Sequence, residues 1–337
     1  MNAVPQGRPL RVGIAGAGAI SQYHLAGWRE QAGVELAAIC DPVADSARAR
    51  AEAFGIPRSY DGFAAMLAAE RLDAVDIITP VGTHAPLARM AADAGVHLCL
   101  QKPMCATVAE ARALVDYVGE RVRFMVHENY RWRPHYVAVR RWLDEGRIGT
   151  PTAARMSVRG ACVYTGDGSA PFLLQRQPYL KEFRRLLVFE VLIHHLDALR
   201  VLLGPLSVEH CSLGRVNAAL AGEDVALSVL RGRDGLGVLV DGHIAAPGYG
   251  PMPADRLEIT GTAATLVFDR DRLWLEGKPE TLETFDLQKN YQACFSAAVR
   301  EFVDGLRTGR GFATDRLDNL QTLELMEACY LAAGVQP

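Results

Sequence analysis

The chain has 337 residues, a formal net charge of -3 and an apolar fraction of 50%. That is long enough for two domains with a large core, and the near-neutral balance gives no electrostatic footprint for nucleic acid. No apolar run approaches the ~20 residues needed to span a membrane, and the start "MNAVPQGRPLRVGIAG" lacks the layout of a secretory signal.

Seven scattered cysteines form no C-x-x-C pair, so neither a metal knuckle nor a disulfide framework is expected. Reduced thiols in a cytoplasmic protein are the plain reading, with no metal site. The first part of the chain alternates short apolar runs with helical patterns. Strands are expected at 10–16, 34–40, 73–79, 96–100 and 122–126, and helices at 20–31, 43–55, 61–70, 84–95 and 108–120. This alternation with short connections predicts a parallel sheet covered on both faces. After residue 126 the grammar changes. A helix is expected at 133–146, a strand-like stretch from 150, and a long helix over 184–204. Several extended runs follow from 207 to 277, and two helices close the chain. Consecutive strands without intervening helices favour an antiparallel or mixed sheet. The weakly periodic stretch 161–183 reads as a binding loop. The fold class is therefore α/β, with a dinucleotide-binding domain over 1–128 and a second α/β domain over 129–337. The last helix can pack back on the first domain.

The first strand runs into Gly16-Ala17-Gly18-Ala19-Ile20-Ser21, a G-x-G turn that opens a helix. Gly16 suits the tight turn. Gly18, Ala19 and Ile20 bring backbone N–H groups to a pyrophosphate at the helix N-terminus. Asp41 ends the second strand, where an acid accepts from ribose hydroxyls. Its charge repels a 2′-phosphate and no Arg follows it at once, so NAD is favoured over NADP. Thr79-Pro80 and Gln101-Lys102-Pro103 end two further strands and share the same expected rim, as does His84 at a helix start. Lys102 is one of only four lysines. On the long helix Glu190, His194 and Asp197 are spaced four and three apart, a polar stripe on an apolar helix. Burying such groups is costly unless they are paired or functional. His195 points to another side.

Together "TPVGTHAPLARMAADAGVHLCLQKP", "HENYRWRP", "GRIGTP", "IHHLD" and "TGRGFATDRLDNLQTLELMEACYLAAG" resemble the Gfo/Idh/MocA oxidoreductase family over nearly the full length. The resemblance implies a Rossmann domain followed by a domain with a large open, mostly antiparallel sheet, and a homodimer or homotetramer. It places Lys102 beside the nicotinamide and the substrate, with Pro103 fixing its turn. His194 becomes the acid/base, and Glu190 stands where the family usually has Asp. Gln101 replaces the family's Glu and removes a negative charge beside Lys102, while it can still bond a ribose hydroxyl. Leu192 stands where a Gly is usual.

The expected reaction is hydride transfer between nicotinamide and a secondary alcohol of a sugar, sugar acid or cyclitol. Tyr130 and Arg131 near the domain boundary, and Arg159 and Tyr164 around the irregular segment, are expected to bind substrate, because Arg suits carboxylates and aromatics stack on sugar faces. Two other readings stay open. One is an enzyme that retains NAD and cleaves a glycoside through transient oxidation. The other is a non-catalytic sugar- or NAD-sensing regulator of the same fold.

Overall fold

A computed structural model describes residues 7–166, 168 and 171–336. The chain forms two compact units. The first comprises residues 1–132 with 291–323, and the second 133–290 with 324–337.

The first unit alternates as its sequence does: β1 (Leu10–Ala15), α1 (Ser21–Arg29), β2 (Val34–Cys40), α2 (Ala44–Phe54), β3 (Ser59–Tyr60), α3 (Phe63–Ala69), β4 (Ala74–Ile77), α4 (His84–Asp93), β5 (His97–Gln101), α5 (Val108–Val118) and β6 (Phe124–His127). Among the described residues the strands form one six-stranded sheet in the order β3-β2-β1-β4-β5-β6. Every pairing in it is parallel. The strand order reverses between β1 and β4, and an open sheet of this kind receives its ligand outside the strand C-termini at that point. Leu10, Val12 and Ile14 of β1 are buried with Leu25 and Trp28 of α1. Val299, Phe302, Val303 and Leu306 join the same core. This is why residues 291–323 belong to the first unit, which also reaches beyond residue 128 to Trp132.

The second unit begins with α6 (Pro134–Asp144), β7 (Pro151–Arg159) and the short α7 (Phe172–Arg176). The long helix expected over 184–204 is two pieces. Leu187–Leu192 winds as a wide π-helical turn, and α8 (Ile193–Leu203) continues as an ordinary helix. Then come β8 (Ser207–Gly214), β9 (Val225–Arg231), β10 (Gly237–His243), β11 (Ala254–Gly261), β12 (Thr265–Asp269), β13 (Arg272–Leu275) and β14 (Lys278–Thr284). Helices α9 (Leu287–Thr308) and α10 (Arg316–Ala332) finish the chain. The eight described strands form one sheet in the order β14-β13-β12-β11-β7-β10-β9-β8. It is antiparallel except for the β7–β10 pair. Among the described residues no helix is long and apolar enough to cross a membrane.

Beneath α6 the second unit holds a buried polar knot. Asp255 accepts from Tyr136 Oη at 2.9 Å and faces His195 Nε2 at 3.0 Å, while Arg133 lies 3.6 Å away. Burial alone would raise the Asp255 carboxyl, but His195 and Arg133 outweigh it and hold the group well below the usual range. The other nitrogen of His195 meets the Val191 carbonyl at 3.1 Å, so this histidine is a structural bolt. His135 next to the knot stacks flat on Phe268, with ring centroids 4.3 Å apart. Burial, then the charge of Arg133, pushes His135 down to about 3.

The folded-state value of His135 is thus below the ~6.5 of an unfolded histidine. The unfolded chain binds the extra proton first, so the stability that a neutral His135 permits is complete above ~6.5 and erodes as pH falls toward its folded value. In urea unfolding followed at a series of pH values, stability should decline through that window. His135→Phe should flatten the decline.

Candidate active site

Three turns lie at the C-terminal edge of the parallel sheet. The first follows β1. Gly16 has φ +105°, and a Cβ there would meet the Ile78 carbonyl oxygen at 2.4 Å, so only glycine makes this turn against β4. A Cβ on Gly18 would meet nothing within 4 Å, which leaves open space above the start of α1. Gly18 and Ala19 are exposed, and Ile20 at the N-cap makes no side-chain capping bond. Ser21 N–H bonds the Gly18 carbonyl at 3.1 Å and Tyr23 N–H the Ile20 carbonyl at 3.0 Å, so the turn closes on the start of α1, the end of a helix that favours an anion. Ser21 Oγ donates to the Gly18 carbonyl at 2.7 Å and tightens the loop. Asp41, at the end of β2, accepts from Ala17 N–H at 2.8 Å and Val43 N–H at 2.9 Å. It ties the glycine turn to the start of α2, and its remaining lone pairs suit ribose hydroxyls. These residues fit a pyridine dinucleotide.

The second turn follows β4, where Thr83 Oγ1 lies 2.7 Å from both Thr79 Oγ1 and the Pro80 carbonyl. His84 is buried, with one ring nitrogen 2.8 Å from the Thr79 carbonyl and the other 2.9 Å from that of Pro103. It therefore fastens the second turn to the third. The third turn is Gln101-Lys102-Pro103, with a cis bond before the proline. Lys102 is partly exposed. Its N–H donates to Gln101 Oε1 at 2.7 Å, while Gln101 Nε2 lies 2.9 Å from His24 Nε2.

In the second unit the π-helical turn carries Glu190, which is partly exposed, and α8 carries the buried His194 and Asp197. Asp197 has no exposure and lies 3.7 Å from Arg200. The wide turn is held from below. Glu223 is buried and accepts from Leu186 N–H at 3.1 Å and Val188 N–H at 3.0 Å. Tyr330 Oη donates to the same carboxylate at 2.5 Å and accepts from Phe189 N–H at 3.1 Å. Burial and the Glu223 charge push the Tyr330 phenol far up, so it stays a donor. The N–H groups that open a helical segment have no partner within it, and these two side chains receive them. Tyr179, from the irregular stretch, is about half exposed and is pushed up to about 12, first by partial burial and then by the Glu190 carboxylate.

The expected substrate contacts are placed unevenly. Tyr130 stands in a single helical turn, with its N–H on Glu128 at 3.1 Å. Tyr164 is partly exposed at the edge of the irregular stretch. The Arg131 guanidinium is 7% exposed and bonds the Ala313 carbonyl and Asp318 at 2.7 Å. Arg159 pairs with the Asp241 carboxylate and donates to the Asp241 carbonyl at 2.8 Å. Both arginines are thus engaged inside their own units. Glu223, Tyr330 and His24 drew no functional attention in the sequence, because nothing local marks a long-range hydrogen bond.

Residues 10–129 match the family described as "Oxidoreductase family, NAD-binding Rossmann fold", and residues 136–267 match the GFO/IDH/MocA C-terminal domain. A D-apiose dehydrogenase from Paraburkholderia graminis is 38% identical over 95% of this chain and 86% of its own. A second D-apiose dehydrogenase, from Rhizobium rhizogenes, is 33% identical over 96% and 95%. The chain belongs to the Gfo/Idh/MocA oxidoreductase family. The crystal structure of a family relative, an oxidoreductase from Agrobacterium radiobacter in complex with NAD+, L-tartaric acid and magnesium, superposes with a TM-score of 0.88. It is 32% identical and covers 96% of each chain. The three turns accordingly belong to an NAD-binding Rossmann domain of an oxidoreductase.

Tyr330→Phe removes the donor to a buried carboxylate and the acceptor of Phe189 N–H together. The expected cost is about 1–3 kcal/mol, read by urea unfolding. A lower kcat should accompany it, since the loosened turn precedes His194.

Proposed function

We propose that the protein oxidises a secondary alcohol of a neutral sugar or cyclitol, with D-apiose the first candidate, and that Lys102, His194 and Glu190 carry the chemistry. The observation that carries this reading is Lys102 on the strand edge that also presents the glycine turn and Asp41. NAD, when bound, supplies the hydride acceptor. The N-terminus of α1 holds the pyrophosphate with Gly16, Gly18, Ala19 and Ile20, and Asp41 receives the ribose. Thr79, Pro80 and His84 shape the rim around it. Lys102 donates a hydrogen bond to the reacting oxygen and stabilises the negative charge that grows there. His194 takes the hydroxyl proton, a task suited to an imidazole. Glu190, with Tyr179 near it, orients His194 or accepts from a substrate hydroxyl. Tyr130 and Tyr164 offer rings to a sugar face. The pairing of Arg131 with Asp318 and of Arg159 with Asp241 favours a neutral sugar over an acidic one.

Leu227 and Leu282 are exposed on the second unit's sheet. A homodimer or homotetramer would cover such residues, and the mass in solution by light scattering tests it. The seven free cysteines are all buried, which supports a reduced, cytoplasmic setting.

A panel of sugars, cyclitols and sugar acids, read by NADH absorbance, tests the reading. D-apiose or another neutral sugar should reduce NAD stoichiometrically. Lys102→Ala should lower kcat by about 10²–10³-fold, the scale for removing one donor to a developing oxyanion, with NAD binding largely intact. Near-normal turnover in that variant would reject the role of Lys102. Cleavage of glycosides without added cofactor would favour the NAD-retaining alternative.

A further inference from the structure

Asp76 lies inside β4 without any exposure, where an unpaired carboxylate is very costly. Two side chains one helical turn apart on α1 meet it. His24 Nδ1 and Trp28 Nε1 approach the same oxygen at 2.8 and 2.7 Å. Burial alone would raise the Asp76 carboxyl, but His24, then His127 and then the Trp28 hydrogen bond overcome this and keep it below its ordinary value. A carboxylate only accepts, so His24 carries a proton on Nδ1. Its Nε2 is then free to accept, and Gln101 Nε2 stands 2.9 Å from it. The amide cannot be turned round. Its oxygen already accepts from Lys102 N–H at 2.7 Å, and a reversed amide would set a donor against that donor.

The hydrogen-bond roles thus run in one direction from a buried charge to the backbone of Lys102. We infer that Gln101 is a positioning residue for Lys102, oriented by the buried Asp76–His24 pair, and that this pair is why position 101 carries an amide instead of a carboxylate. The inference rests on the proposed role of Lys102 for its functional consequence, but not for its geometry.

A glutamate at 101 could still accept from Lys102 N–H. Its second oxygen would then face the lone pair of His24 Nε2, and two acceptors at that distance repel unless a proton lies between them. The other titratable groups around His24 do not supply one near neutral pH. Cys99 is held well above its ordinary value by burial and by Asp76, so it remains a thiol beside that carboxylate. His127 stacks on His24 with centroids 3.9 Å apart and is pushed down to about 3 by burial and by His24. Trp28, which shares Asp76 with His24, and Phe295, whose ring meets that of His24, are uncharged at any accessible pH. An acid at 101 therefore needs an extra proton to meet His24 Nε2, which the native amide does not.

Two measurements test this. Nitrogen-15 NMR of histidine-labelled protein, with His24 assigned by its loss in His24→Phe, reads the tautomer without any substrate. Nδ1 should carry the proton and Nε2 should be bare, and a protonated Nε2 would overturn the inference. In steady-state kinetics Gln101→Met, which keeps the length but makes neither bond, should lower kcat by about 10- to 100-fold, the scale for a slightly misplaced catalytic group, with KM for NAD little changed. Gln101→Glu should show a one-proton loss of kcat as pH rises, absent from the native enzyme and absent again when combined with His24→Phe. Native kcat in Gln101→Met, or a Gln101→Glu profile parallel to the native one, would overturn it. If the native protein oxidises no sugar, the functional reading fails while the tautomer still decides the geometry.

Discussion

One carboxylate buried in a parallel strand organises the cofactor half of this protein. Asp76 has no water to solvate it, so its neighbours must. Two of its donors, His24 and Trp28, come from α1, the helix whose N-terminus follows the open space above Gly18. The bond to His24 continues through Gln101 to the turn that presents Lys102. The packing of α1 and the turn that carries Lys102 are therefore tied to the same buried charge. Loosening it would disturb both at once, because hydrogen bonds linked in one buried network support one another.

The second unit repeats the device with different parts. Glu223 gathers backbone N–H groups from the start of the π-helical turn, and Tyr330 closes the cluster from α10. A wide turn is a poor structure by itself, and it persists where surrounding groups satisfy what it leaves open. Glu190 stands in that turn and His194 just after it. In each unit a residue proposed for chemistry is set by a buried acid some distance away in sequence, which fits the need for catalytic groups to be held rigidly.

The α/β class and the parallel sheet were legible because apolar strands and glycine-closed helices repeat with a clear period, and the family because several motifs resemble it together. The strand expected at 34–40 forms over those residues, and the one expected at 10–16 ends one residue earlier, at Ala15. Short or polar elements were not legible. β3 has only two residues, and "KPETLET" of β14 carries too few apolar side chains to stand out. The π-helical turn was read as ordinary helix, since nothing in "LVFEVL" marks the winding and Glu223, which holds its start, lies more than thirty residues away. The candidate site could be proposed from the sequence where motifs are local, at Gly16, Gly18 and Lys102. Arg131 and Arg159 looked available for substrate because their partners, Asp318 and Asp241, are distant in sequence. The meaning of Gln101 was hidden for the same reason: His24 lies 77 residues before it.

In the proposed oxidation of a sugar alcohol, hydrogen leaves the sugar carbon directly for the nicotinamide. The most direct measurement uses D-apiose deuterated at its carbinol carbons, with mass spectrometry of the reduced cofactor after a single turnover. One deuterium is expected in the reduced nicotinamide, with none lost to water. Reduced cofactor without the label, or label released to solvent with no reduced cofactor, would contradict it.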